Sequence, residues 1–169
     1  PLPRSQFLPQ GIQMLDWTTN TAGTPDHALN EARGILVGTS IATLFGWRPI
    51  EAVCAGDQIL TFKNGFQTVQ NMYRVLIWHG RGDCPEQHRP IALNAGVLNN
   101  SQPVKVLPDQ LVADEHSTLC PRALLEEGIA NATKPHSAIE AIVLEFDGDE
   151  VIYDQVGLHY FMPKAERIS

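Results

Sequence analysis

The groups in this chain that could bind a metal, attack a carbonyl or move a proton are six histidines, three cysteines and scattered hydroxyls and carboxylates. The densest cluster is His79, Asp83, Cys84 and His88, four side chains within ten residues. Imidazole, carboxylate and thiolate all ligate zinc. Their spacing follows no ligand pattern, however, and Arg81, Gly82 and Pro85 place them on an exposed loop, so solvated polar residues are expected and no metal or cofactor is assigned. Cys54, Cys84 and Cys120 form an odd set without C-x-x-C spacing, which gives neither a disulfide framework nor a zinc knuckle. They are read as small apolar packing residues. His116 stands beside Asp114 and Glu115, a setting that suits a solvated imidazole. His159 lies in an apolar stretch, where a strand histidine with one satisfied ring nitrogen is as natural as a proton-transfer group. Thr39 and Ser40 carry hydroxyls, but a hydroxyl attacks only with a base in hydrogen-bond reach, and neither is assigned as a nucleophile.

The elements that must position these groups belong to one domain of ordinary size, since 169 residues leave two full domains cramped. With 43% hydrophobic and 18% charged residues, the chain is expected to fold alone. Its net charge of −7 repels phosphate backbones, and no run of Lys or Arg offers a local exception, so nucleic acid is not an expected partner. Apolar runs fall short of the roughly 20 residues that span a bilayer, and Pro1 opens no signal sequence, so no membrane role is expected. Cytoplasm and secretion both stay open.

Residues 1–33 differ from the rest. Pro1, Pro3, Pro9 and Pro25 and the run Thr18-Thr19-Asn20-Thr21 suit an irregular arm, partly disordered, laid over a surface. From Gly34 onward, short β-branched runs are cut by Gly, Pro, Asn and Asp. Strands are expected over 40–44, 58–62, 66–78, 90–93, 104–107, 139–146, 151–153 and 158–162, which makes residues 34–169 an all-β domain. Lys63-Asn64-Gly65 carries the Asn-Gly pair of a tight hairpin, and Phe146-Asp147-Gly148-Asp149 marks a second. One helix is expected, opened by Pro121, continued by Arg122 to Glu127 and stopped at Gly128.

Three ordered segments go beyond composition. They are Gly38-Thr39-Ser40-Ile41-Ala42-Thr43, Gly46-Trp47-Arg48-Pro49-Ile50-Glu51 and Ala55-Gly56-Asp57-Gln58-Ile59-Leu60-Thr61. Gly38 and Gly56 permit turns that a Cβ would obstruct, Ile59 and Leu60 would feed the core, and Trp47 would supply a large buried surface. In this order the segments resemble the opening of a Hint domain, the hedgehog/intein module, in its bacterial branch. The resemblance continues through Arg89-Pro90-Ile91, Asn94 to Leu98 and Leu124 to Gly128, and ends near Tyr153 to Met162, so it spans roughly residues 34–162 and implies a compact Hint-like β fold.

That resemblance implies a chemistry: an N-to-S or N-to-O acyl shift, in which a Cys, Ser or Thr at the first position of the domain attacks the preceding carbonyl while a histidine protonates the leaving amine. The nucleophile position, four residues before Gly38, is Gly34, which has no lone pair to offer. Two registers match the hydroxyl-x-x-His element. The preferred one runs Leu107-Pro108-Asp109-Gln110 and puts Gln110 at the histidine; the other runs Ala113-Asp114-Glu115-His116 and keeps His116 but loses the hydroxyl. His159 matches the downstream histidine. The terminal His-Asn pair of intein cyclisation is not found before Ser169, so full splicing is not expected. The favoured expectation is a degenerate Hint domain, inactive in autoprocessing rather than an enzyme, serving as a folded module of a larger bacterial protein whose other segments would be its partners. The alternatives are an autoprocessing domain whose nucleophile has been mutated to Gly34, and a generic β binding module presenting Trp47 or Trp78 to an unknown small-molecule ligand.

Overall fold

A computed structural model describes residues 31–113 and 117–164. Within them lie three antiparallel sheets and a single α-helix. A three-stranded sheet has the order β1 (Ile35–Leu36), β12 (Ile139–Glu145) and β6 (Asn71–Trp78), with Ile35 opposite Ile142 and Leu36 opposite Ala141. An eight-stranded sheet runs from β10 (Thr118–Leu119) through β9 (Val112–Ala113), β14 (His159–Met162), β13 (Glu150–Tyr153), β4 (Gln58–Thr61) and β2 (Ser40–Thr43) to β3 (Gly46–Pro49), and β5 (Gly65–Thr68) also pairs with β4. The third sheet is β11 (Asn131–Ala132), β7 (Ile91–Leu93) and β8 (Val104–Val106). The helix α1 (Pro121–Glu126) has Pro121 in its first turn and Gly128 just beyond it at φ +76°. The chain is all-β, as its runs of β-branched residues require.

Strand β12 explains why the molecule has two cores. Successive side chains of a strand point to opposite faces. Ile142 and Leu144 enter the main cluster with Ile41, Ile59, Ile91 and Tyr160, whereas Ile139, Ala141 and Val143 enter a second with Ala32, Val75, Trp78 and Leu107. Both faces are covered over residues 141–144, so that stretch reads as a continuous apolar run instead of alternating.

Several sequence expectations change here. The run 66–78 is broken at Val69-Gln70 into β5 and β6. Asp147-Gly148 does not close a hairpin, because β12 pairs with β1 and β6 while β13 pairs with β14 and β4; the turn carries the chain from one sheet to another. Trp47 is not a buried anchor but 47% exposed on the edge strand β3; among the described residues the packed tryptophan is Trp78. Ile59 is fully buried, while Leu60 takes the opposite face. The Asn64-Gly65 hairpin forms, with Gly65 at φ +65°. A hairpin without an Asn-Gly signal joins β2 to β3. Thr43 Oγ1 donates to the Gly46 carbonyl at 2.7 Å and accepts from Phe45 N–H at 3.1 Å, and Thr61 Oγ1 repeats that arrangement with Gly65 and Asn64. A buried threonine hydroxyl thus ties both turns. The expected arm lies outside the described residues up to residue 30; residues 31–33 lead irregularly into β1, with Ala32 fully buried.

Candidate functional site

The Arg33-Gly34 junction is built from three segments that are remote in sequence. The backbone of residues 32–34 lies against the turn 107–110 on one side and against β12 on the other. Asp109 N–H donates to the Ala32 carbonyl at 2.9 Å, and Ala32 N–H donates back to Asp109 Oδ2 at 2.8 Å. Two residues on, Gly34 N–H donates to Gln110 Oε1 at 3.0 Å in a buried hydrogen bond. The turn is closed by Gln110 N–H on the Leu107 carbonyl at 3.2 Å.

Gln110 is 3% exposed and fully committed. Its Nε2 donates to the Leu111 carbonyl at 2.8 Å and to the Phe161 carbonyl at 3.0 Å. Two carbonyls demand donors and one N–H demands an acceptor, so the partners themselves fix the orientation of the amide. The side chain ties Gly34 to β14.

Asp109 is held in turn by Arg122, whose Nη2 and Nε lie 2.8 and 3.2 Å from Oδ1. Arg122 N–H donates to the Pro108 carbonyl at 3.2 Å, so the first turn of α1 is fastened to the same turn of chain, and Cys120 Sγ reaches that carbonyl at 3.1 Å. His88 stands near this ion pair. Burial pushes its pKa down, the Asp109 carboxylate opposes that and the Arg122 guanidinium reinforces it.

On the β12 side, Gly34 has φ +117°, and a Cβ added to it would lie 2.9 Å from Ala141 Cβ, 3.2 Å from the Ile142 carbonyl and 3.3 Å from Val143 Cγ2. The direction in which a side chain would project is therefore filled by two aliphatic side chains and a backbone carbonyl. Neither an imidazole nor a hydroxyl is among these neighbours.

His159 is placed elsewhere. It pairs with Tyr153 on the face of β14 opposite the buried Tyr160, and its ring lies 5.3 Å from that of Phe62 and 5.6 Å from that of Tyr153. Among the described residues it shares no hydrogen bond with Gly34 or Gln110. Thr39 and Ser40 lie beyond the turn at Gly38, where Thr39 N–H donates to the Leu36 carbonyl at 3.1 Å. His116 lies outside the described residues. The structure thus brings Gln110 to Gly34 and leaves His159 in an aromatic setting. Asp109, Arg122, Ala141 and Val143 were not singled out by sequence. Asp109 could have been noticed as the neighbour of Gln110, whereas Ala141 and Val143 look like ordinary strand residues.

A second polar cluster supports β14 from within the main core. Asp154 Oδ1 accepts from Val156 N–H and Leu158 N–H, each at 3.0 Å, and Oδ2 accepts from Tyr160 Oη at 2.8 Å. Burial raises the Asp154 pKa despite these bonds, and burial together with that carboxylate raises the Tyr160 hydroxyl well above its ordinary value.

Comparison with known proteins bears on this geometry. The family model described as "Hint domain" matches residues 34–156, beginning at the junction glycine. No curated protein matches the sequence. Among solved structures, a bacterial intein-like domain from Clostridium thermocellum is similar at 13% identity and a TM-score of 0.53, covering 76% of this chain and 97% of that one. The gp41-1 intein is similar at 18% identity and a TM-score of 0.49, over 74% of this chain and 96% of that one. Matched over most of its length and folded into the corresponding β body, the chain belongs to the Hint domain family.

Proposed function

We propose that this Hint domain does not autoprocess and serves as a folded module that anchors the segment preceding it. The observation that carries this reading is Gly34. An acyl shift needs an electron pair on the side chain following the scissile bond. Here that residue is glycine, in a conformation that L side chains rarely adopt and with two aliphatic side chains and a backbone carbonyl where a side chain would go.

Gln110 adds a second obstacle. Breaking the C–N bond requires a proton on the departing nitrogen. Gln110 presents a carbonyl oxygen to that N–H, and its own two N–H bonds are occupied by Leu111 and Phe161. An acceptor on the N–H stabilises the amide. Two requirements of the shift are therefore missing at one place, while the turns and strands around them persist.

The grip of Asp109 on Ala32 also favours a second reading, an active domain whose nucleophile was replaced, because a retained precursor segment would be held in this way. One experiment separates the two. A reporter fused ahead of residue 1 is incubated with dithiothreitol or hydroxylamine, and the products are weighed by mass spectrometry. No cleavage at Arg33-Gly34 is expected, either in the chain as it stands or in Gly34→Cys. Cleavage of the unmodified chain would overturn the proposal, and rapid cleavage of Gly34→Cys alone would establish the second reading.

A further inference from the structure

A cleft of about 600 Å³ opens where the end of β1 meets the third sheet. Leu36 and Val37, Lys105 of β8 and the irregular stretch from Thr133 to Ala138 line it. None of these residues takes part in the hydrogen bonds of the Gly34 junction.

The irregular wall is tied at both ends. Thr133 N–H and Oγ1 both donate to the Pro90 carbonyl, at 2.9 and 2.7 Å. At the other end, a Cβ on Gly80 would lie 2.7 Å from Ala138 N, so the wall packs directly on the Gly80 backbone. Between them Pro135 restricts the chain further.

The charge of the cleft runs against that of the molecule. Lys105 and Lys134 both line it, and neither has an ion-pair partner among the described residues. Glu140 is the one carboxylate in the lining, and its Oε1 is engaged by Arg74 Nη1 at 2.6 Å. A chain of net charge −7 thus carries a groove with two unopposed ammonium groups.

From this we infer that the groove binds an extended acidic polypeptide segment, its carboxylates meeting Lys105 and Lys134 and its intervening apolar side chains lying on Leu36, Val37 and Pro135. Charge complementarity selects an anion. A small free anion is disfavoured because the two lysines are exposed and no buried donor converges with them. A phosphate polymer carries a charge at every unit and meets the acidic remainder of the surface along its whole length, whereas a peptide can confine its carboxylates to the two lysines. The apolar walls suit a polypeptide, and the N–H groups of His136 and Ser137 have no protein acceptor among the described residues, so main-chain pairing is open to it. The inference does not depend on whether the junction is inert.

The test is fluorescence anisotropy of a labelled peptide of alternating Glu and Leu with the full chain at low ionic strength. Saturable binding is expected, absent for the same peptide with Gln in place of Glu. Lys105→Glu and Lys134→Glu should each weaken it at least about fivefold, the effect of reversing one ion pair. Lys63→Glu, on the hairpin between β4 and β5, should leave it unchanged. Both groove lysines are exposed, so the variants should fold, and amide shifts of Val37 and Ser137 in the unmodified protein give an independent readout. Lack of saturable binding, equal weakening by Lys63→Glu, displacement by inorganic phosphate at matched ionic strength, or tighter binding of an oligouridylate would each overturn the inference.

Discussion

Replacing Gly34 by alanine tests the central physical claim without any chemistry. Two costs are added. A positive φ of the kind recorded at Gly34, +117°, costs a residue with a Cβ on the order of 1–3 kcal/mol. The new Cβ would also stand 2.9 Å from Ala141 Cβ, well inside the separation of about 3.5–4.0 Å at which carbons attract. Relieving such overpacking typically costs about 1–3 kcal/mol. Set against this, alanine restricts the unfolded chain and returns roughly 0.4–1 kcal/mol. The net expectation is a loss of roughly 1–5 kcal/mol, centred near 3, a large share of the roughly 5–15 kcal/mol available to a typical domain. Gly38 is the internal control, because it has φ +100° but nothing within 4 Å of its would-be Cβ. Gly38→Ala carries only the conformational cost, so the difference between the two variants isolates the crowding. Urea unfolding followed by tryptophan fluorescence, to which Trp78 buried beside β12 contributes, gives both values. If Gly34→Ala lost no more stability than Gly38→Ala, the junction would have room for a side chain, and the claim that a nucleophile has no seat there would fail.

Gln110→Glu keeps an acceptor for Gly34 N–H but turns a carboxylate toward the Leu111 and Phe161 carbonyls. It should cost about 2–4 kcal/mol at neutral pH, with the deficit shrinking in acid as the carboxyl takes up a proton; melts at several pH values would show this, and a flat deficit would contradict it. Asp109→Ala removes the acceptor of Ala32 N–H and the partner of Arg122. Trypsin cleavage after Arg33 should then speed up at least about tenfold, as a loss of about 1.4 kcal/mol in local stability would give; an unchanged rate would mean that Asp109 does not hold the segment. For Asp154 the folded pKa is raised, so the folded state binds its proton more tightly than the unfolded chain. That stabilisation is complete below the unfolded value near 3.8 and is lost as pH rises through the folded one. The stability of the parent relative to Asp154→Asn should therefore fall with rising pH across that window, and an opposite slope would refute the assignment.

Much of this protein could be read along the chain. Short β-branched runs between turn residues marked most of the longer strands, because strand preference and turn chemistry are local properties. The same holds for the Pro121 start of the helix and for the Asn64-Gly65 turn. The missed elements have equally physical causes. β1, β9, β10 and β11 are two residues long and carry no periodicity. The turn at Leu44-Phe45 is made by the Thr43 hydroxyl, which no turn-forming pair announces. Asp147-Gly148 looks the same whether the strands beside it pair with each other or with different sheets.

At the proposed site, residue identity alone says that Gly34, matched to the nucleophile position by the resemblance of the ordered motifs, has no side-chain lone pair. Only the tertiary structure decided what surrounds it. The bonds from Ala32 to Asp109 and from Gly34 to Gln110 span 77 and 76 residues. The crowding by Ala141 and Val143 depends on which face of β12 meets Gly34. Such contacts are set by how strands pair across the fold, and strand pairing minimises the energy of the whole core, so no short stretch of chain encodes it.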